Sequence, residues 1–593
     1  MSSPPQPPKE PTEEQNAVLI SPARVRVVRA CPGAGKTEMF VEAIRRELKS
    51  WNKPAGGVAA LSFTNVARQT IEARVGGVVG APHFIGTLDG FAFRFVVKPF
   101  GHLVGLPAGG VRLFPAAMCA QFTQPTVQVG GQPKERATLF QVHFSGVEKK
   151  LPVLRAEAAY RQITVPAERV QEIFDAKKNY WAKTGIVTHS DCHFLAAAIL
   201  KKGGAAVRGL IARRFPVIFI DELQDTGFFL ARTFVRLCED PGIKALVVGD
   251  PNQAIYGFGG ASPTIFDDFQ ALEGATPFAL TLSQRCPKKV SQVVSALSYS
   301  KAPVNARPDA ADGELALVVH SLAIPKLLPP QAAFLRGLGV GTSLAIISRR
   351  TTTANSLRGA IIRDEFCGRS GVARKINLAA EYLANGDPAT AVTIIDRELC
   401  RVVFDDPQAG LEERKGKGIT PAQWRAAIFG ILTAALAKVE GETWNAWVQR
   451  IKAAVQAACV SLGWQLNETS GLKAYMICNE TGNAPRNQLI EIPVAPLWPV
   501  GDTVSTIHKV KGAEFETVIV FAPKPSKGHP CPAKEWWSDE AQGEERRVGF
   551  VGVSRAKQKL ILCVHVSTLK ELQAKQPEFV ALFGEPIPMP AGA

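Results

Sequence analysis

Apolar residues along this chain fall in short runs divided by polar turns, and the spacing within each run separates strands from helices. Val25, Val27 and Val28 form a β-branched run that predicts a strand, and Met39, Phe40, Ala43, Ile44 and Leu48 then recur at helical spacing. Val217-Ile218-Phe219-Ile220 and Ala245-Leu246-Val247-Val248 are continuous apolar runs, which suit strands buried on both faces. Helical spacing returns over Val170 to Lys183, Pro421 to Val439 and Thr443 to Leu462, and Lys559 to Val566 reads as a final sheet strand. The expected class is α/β. No apolar run reaches the roughly 18 residues of a membrane span.

The first strand and helix are joined by Ala30-Cys31-Pro32-Gly33-Ala34-Gly35-Lys36-Thr37. This is a triphosphate cradle in which Ala30 replaces the usual first glycine. Gly33 and Gly35 let backbone N–H groups face phosphate oxygens, Lys36 reaches the β/γ-phosphates, and Thr37 offers a hydroxyl to Mg²⁺. Cys31, beside the phosphates, is expected to confer sensitivity to thiol reagents. Just upstream, Thr12-Glu13-Glu14-Gln15 fits either a capping box or an adenine reader built on the Gln15 amide.

Asp221-Glu222-Leu223-Gln224-Asp225 follows the second strand, where open α/β sheets bind ligands. Asp221 is expected to hold Mg²⁺ and Glu222 to deprotonate the attacking water, the alternative being a solvated acidic loop. Gly249-Asp250-Pro251-Asn252-Gln253 follows the third, with Gln253 a candidate γ-phosphate sensor. Beyond it, Tyr256 and Phe258 stand among glycines and read as base-stacking platforms or as core.

Composition adds a partner and a compartment. At 593 residues the chain has room for about three to five compact units. Its 69 Lys and Arg against 53 Asp and Glu give a net charge of +16, which favours nucleic acid or an anionic membrane surface. Isolated basic pairs such as Lys149-Lys150 and Lys201-Lys202 read as solvated charge. The 11 cysteines show no C-x-x-C pair, arguing against a zinc ribbon, an iron–sulfur cluster or a disulfide framework. A cytoplasmic setting is expected. The start, SSPPQPPKEP, is Pro-rich and polar, unlike a signal peptide.

Taken in order, the motifs resemble a superfamily 1 helicase of the UvrD/Rep type over nearly the full length. Residues 30 to 37 are similar to its nucleotide loop, and Leu61-Ser62-Phe63-Thr64-Asn65 and Gly86-Thr87-Leu88-Asp89-Gly90-Phe91 to its single-strand contact motifs. DELQD and VVGDPNQAIYGF resemble the second and third ATPase motifs, and Leu282-Ser283-Gln284-Arg285-Cys286 the fourth. Thr506 to Phe515 resembles the fifth, and Glu544 through Lys557 the sixth.

The resemblance implies two RecA-like P-loop lobes with ATP and Mg²⁺ between them, each lobe carrying a largely helical insert. Residues 1–11 would be a disordered tail, 12–95 and 205–275 the first lobe, and 96–204 its insert. Residues 276–370 and 496–593 would form the second lobe, with 371–495 inserted. Arg285 and Arg555 would neutralise the transferring phosphoryl group; Glu514, beside Gly512, would bind ribose, and Gln15 becomes the adenine reader. Phe63, Tyr256 and Phe258 would stack bases, and Thr64, Asn65, Thr87, Thr506 and His508 would hold DNA phosphates or sugars.

Departures from the family pattern are also visible. Phe258-Gly259 stands where Trp-Arg is common, and Gln284 replaces a tyrosine that packs on adenine. Asp89 replaces a common histidine, and a carboxylate beside a phosphodiester path is unfavourable unless it positions a neighbour. The implied activity is an ATP-dependent 3′–5′ DNA helicase acting on single strands and their duplex junctions. Its alternatives are a translocase that strips proteins with little unwinding and an ATP-switched regulatory subunit. After Arg555 the chain runs into a short Pro-rich tail, so no appended nuclease is expected. Gly86 to Phe91 with Arg94 to Phe100 is faintly similar to helicase components of phage-defence systems that work beside an OLD-family nuclease partner.

Overall fold

Successive residues of the first apolar runs go to opposite sides of one sheet. Val25, Val27, Ala59, Leu61, Ile218, Ile220, Ala245 and Val247 enter one buried cluster. Val28, Ala30, Val58, Ala60, Val217, Phe219, Leu246 and Val248 enter another. Strand side chains alternate faces, so an unbroken apolar run belongs to a sheet covered on both. This computed structural model describes residues 10–590, except 77–78, 108–109, 115–124, 132–134, 149–150, 159–160, 258–263, 359–370, 385–387, 405–413, 415, 438–441, 464–496, 499–500, 527–530 and 538–542.

The first sheet is six-stranded and parallel, in the order Ala275–Leu280, Val25–Ala30, Lys244–Gly249, Val217–Ile220, Val58–Ser62, Phe84–Thr87. Its edge strand Ala275–Leu280 pairs along the whole of Val25–Ala30. The boundary expected between 275 and 276 therefore moves past Leu280.

A second parallel sheet runs in the order Thr503–Thr506, Leu344–Ser348, Phe515–Ala522, Ala556–His565, Glu314–His320, Ile587–Pro588. The run expected to be the final strand thus lies inside the sheet, and Ile587–Pro588 forms the edge. Ala345, Ile347, Val518, Val520, Leu560 and Leu562 share a buried cluster with Val28 and Phe219. One continuous apolar layer therefore joins the two sheets and fixes how their strand ends face.

The intervening segments differ from each other. The first contains an antiparallel sheet of Val142–Glu148, Leu151–Ala158 and Arg161–Thr164, so it is not largely helical as expected. Val142 with Phe144, and Leu154 with Ala156, are buried at a spacing of two, a strand period that the nearby helical pattern obscures. Two helices follow, Ala167–Thr184 and His189–Arg214, the latter broken at Gly204 (φ 52°, ψ −143°) beside the expected 204/205 boundary. The second segment is helical where described. Gly371–Ala384, Pro388–Phe404, Pro421–Leu436 and Trp444–Ser461 pack Ile376, Leu399, Trp424 and Trp447 into a core of their own. Among the described residues no helix is long and apolar enough to cross a membrane.

Candidate functional site

The cradle forms where the strand Val25–Ala30 turns into the helix Lys36–Lys49. Gly33 and Gly35 lie at φ 76° and 71°, which side-chain-bearing residues adopt only at a cost. A Cβ on Gly33 would also sit 2.6 Å from Arg285 Cβ, and one on Gly35 would sit 2.6 Å from Gln15 Nε2. The loop is braced from outside: Ser283 Oγ donates to Pro32 O at 2.7 Å, and Gln284 N donates to Gly33 O at 2.9 Å. Thr37 is partly exposed at the first turn of the helix, within reach of solvent.

Of the two readings of Gln15, the structure forms the capping box. Its Oε1 accepts from Thr12 N at 3.0 Å, closing the capping box, while its Nε2 donates to Ala34 O at 2.8 Å. Adenine recognition by this amide would exchange those bonds. Cys31 corrects its expectation, because it is buried at 7% exposure and burial pushes its thiol far above the ordinary range. Such a thiol forms little thiolate and reacts slowly.

Two carboxylates end the strand Val217–Ile220. Burial, and then the charge of Glu222 beside it, push Asp221 well above the usual carboxylate range. Burial acts on Glu222 in the same sense, but Lys36, Lys511, Gln224 and Arg555 outweigh it and hold Glu222 low. Neighbouring carboxyls with separated proton affinities are the arrangement expected of distinct roles. Glu222 also has left-handed backbone (φ 54°, ψ 43°), an unfavourable conformation for this residue type that sets its direction relative to Asp221.

Gln224, to which the local pattern assigns no role, connects this pair to the neighbouring strand. Fully buried, it donates its amide to Glu222 and accepts from Asp250 N at 3.0 Å. A Cβ on Gly249 would lie 2.2 Å from Gln224 Oε1, so the glycine makes room for the contact. Gln224→Ala is expected to lower kcat for ATP hydrolysis by about 10- to 100-fold through loss of Glu222 positioning. Nucleotide-analogue affinity, titrated in parallel, should stay within about threefold; an unchanged kcat would leave Gln224 a packing residue only.

Groups from the second sheet meet this cluster. Arg555, 2% exposed, donates to Gln253 Oε1 at 3.3 Å, Ala513 O at 3.3 Å, Val551 O at 3.0 Å and Ser554 Oγ at 2.8 Å. Burial lowers its pKa to about 10, which leaves it cationic at neutral pH. Gln253 in turn donates to Asp250 Oδ2 at 2.7 Å. Arg285 pairs with Glu514 at 2.7 Å, so the expected ribose ligand and an expected phosphate arginine occupy each other here. Gly512 is left-handed at φ 87°, with open space where a Cβ would be. Lys511, also unassigned from sequence, reaches Asp225 Oδ1 at 2.5 Å and Gln253 O at 2.7 Å.

The candidate DNA residues line the ends of the same strands. Phe63 to Val66 are exposed, and the Phe63 ring stacks on Tyr256 at 6.3 Å with 24° between planes. Tyr256 meets His508 at 6.4 Å and lies under the Lys511 ammonium at 4.9 Å. Burial and Arg349 lower His508 to about 4, so it faces any ligand as a neutral imidazole. Thr64, Thr87 and Thr506 share one local role. Their hydroxyls accept from Ala67 N at 3.1 Å, Gly90 N at 3.0 Å and Lys509 N at 3.4 Å. Each hydroxyl proton remains able to donate, although Thr506 is buried. Asn65 opens the helix capped by Thr64 and is exposed. Phe258 and Gly259 lie outside the described residues.

The description "UvrD/REP helicase N-terminal domain" matches residues 11–272, and "UvrD-like helicase C-terminal domain" matches residues 503–567. The Gabija protein GajB of Bacillus cereus is 30% identical over 263 residues, covering 44% of this chain and 44% of that protein. DNA helicase II of Escherichia coli is 23% identical over 312 residues, 51% of this chain and 42% of that protein. A shorter stretch of 68 residues is 43% identical to RecBCD enzyme subunit RecB of Escherichia coli, 6% of its length. The chain spans less than half the length of these relatives.

Proposed function

The chain belongs to the UvrD/Rep helicase family, and from that membership we propose an ATP-driven motor that moves 3′ to 5′ on single-stranded DNA and unwinds duplex. The observation that carries this reading is the apposition at the strand ends: Lys36, Asp221, Glu222 and Gln253 from one parallel sheet face Arg555 from the other, with Arg285 braced between them. In this reading the two sheets are RecA-like lobes, and the segments at 96–204 and 371–495 are accessory inserts.

The residues fit magnesium nucleotide. The backbone of Gly33 and Gly35 is shaped for phosphate oxygens, and the buried Asp221 carboxyl, crowded by Glu222, gains most from a cation. When bound, the nucleotide supplies the phosphoryl group and the metal neutralises charge on its oxygens. Lys36 would hold the terminal phosphates, with Thr37 and Asp221 on the metal. Glu222 would orient the attacking water and accept its proton at the carboxylate. Arg285 and Arg555 would stabilise charge that develops on the transferring group. Gln253, bonded to Arg555, would report that state to the adjoining loop, where Tyr256 and Phe63 stack.

The likeness to a subunit of the RecBCD enzyme supports a motor that serves a larger assembly; in this reading strand scission belongs to a partner nuclease, of the OLD family if the role is defence. Repair and defence are both compatible with this chemistry.

Unwinding of matched duplexes bearing a 3′ or a 5′ single-stranded tail tests the proposal. ATP-dependent displacement from the 3′-tailed substrate alone is the expected result. DNA-stimulated hydrolysis without displacement would make the chain a translocase, and hydrolysis indifferent to DNA would overturn the motor reading.

A further inference from the structure

Asp89 lies between two imidazoles supplied by a helix about a hundred residues further along the chain. His193 Nε2 contacts Asp89 Oδ1, and His189 Nδ1 lies 3.6 Å from Asp89 Oδ2. Their spacing of four places both histidines on one face of the helix His189–Arg214. The group is accessible, with side chains 46%, 35% and 25% exposed for His189, Asp89 and His193. Nearby charge is otherwise committed. Asp191 is buried and taken by Lys177 at 2.6 Å, Trp181 Nε1 at 3.1 Å and Thr188 N at 3.0 Å. Cys192 is buried and its thiol is pushed up, so it carries no charge.

The position of this triad gives it meaning. Asp89 sits two residues beyond Thr87, in the short helix that follows the edge strand Phe84–Thr87, and Thr87 is in register with Ser62, which precedes Phe63 and Thr64. The row Tyr256, Phe63, Thr64, Thr87 therefore leads to the histidines. We propose that His189 and His193, held by Asp89, form a phosphodiester-binding subsite that extends the single-strand path from the first sheet onto the inserted segment. This rests on the motor reading above.

Electrostatics agree with the placement. Burial opposes ionisation of Asp89, but its hydrogen bonds to His189 and His193 outweigh that and hold its carboxyl below the ordinary range. The hydrogen bond to Asp89 raises His189 above the usual imidazole value against the effect of burial. His189 Nε2 and His193 Nδ1 have no hydrogen-bond partner among the described residues and donate when the rings are protonated. A carboxylate on a DNA path thus acts through its neighbours: Asp89 is a positioning residue.

Binding of a labelled oligothymidylate to the full chain, followed by anisotropy across a salt series near neutral pH, tests this. The His189→Ala, His193→Ala double variant should weaken binding about fivefold per lost phosphate contact at about 0.1 M salt. It should also flatten the logarithmic salt dependence by about 0.7 per contact. Asp89→Asn separates the proposal from simple charge counting: removal of a negative charge should tighten binding, whereas loss of imidazole positioning should weaken it. His189→Arg, which puts a permanent cation at the same exposed position, should bind at least as well as wild type to within about twofold, and nucleotide-analogue affinity of each variant controls for folding. Tighter binding by Asp89→Asn, or an unchanged affinity and salt slope in the double variant, would overturn the subsite while a binding wild type keeps the motor reading. A wild type that binds no single strand would overturn both.

Discussion

Glu222→Gln is expected to reduce ATP turnover by about 10²- to 10⁴-fold, the range for loss of a general base, while nucleotide and single-strand binding stay within about threefold. The substitution keeps shape and backbone, and the glutamine oxygen can still accept from the Gln224 amide. What is lost is the negative charge that Lys36, Lys511 and Arg555 sustain against burial. Single-turnover hydrolysis with saturating single strand would measure it directly. Activity above about a tenth of wild type would remove Glu222 from the base role and shift attention to Asp221 or Asp225.

Arg555→Lys should be nearly as damaging, lowering kcat by about 10³-fold or more. The guanidinium reaches the Gln253 amide oxygen, the Ala513 and Val551 carbonyls and the Ser554 hydroxyl from one planar group. A lysine ammonium is a single point of charge and cannot hold donors toward both sheets at those separations. Turnover should fall with little change in nucleotide affinity if the arginine acts on charge that develops during transfer. Loss of affinity equal to loss of turnover would instead mark Arg555 as a tie between the sheets. Hydrolysis and analogue binding on the same preparation distinguish the two.

Elements defined by local pattern were legible before the fold was known. The continuous runs at Val217–Ile220 and in Lys244–Gly249 announce strands covered on both faces, and the glycines of the loop at 31–35 stand between such a strand and a helix, at the positive φ that a phosphate cradle uses. The antiparallel strands between 142 and 164 were missed. Only short alternations mark them, interrupted by Gly146 and by charges, and each strand finds its partner in a neighbouring antiparallel strand rather than in a period long enough to read by itself. The first-sheet boundary was misplaced for a related reason: Ala275–Leu280 is an edge strand with exposed Thr276 and Pro277, so burial gives it no continuous apolar signature.

By itself, then, the sequence determined the chemistry available to this protein. It supplied the phosphate loop, the acidic strand ends, the candidate arginines and the family to which their order belongs. The tertiary structure alone decided which of these groups act on one another. It turned Glu222 into a left-handed conformation, set Gln224 between Glu222 and Asp250, brought Lys511 to Asp225, and paired Asp89 with histidines from a distant helix. Local spacing fixes the period and backbone freedom of a segment. A contact between side chains far apart in sequence depends on how two sheets and an insert pack, and that is set by the burial of all of them together.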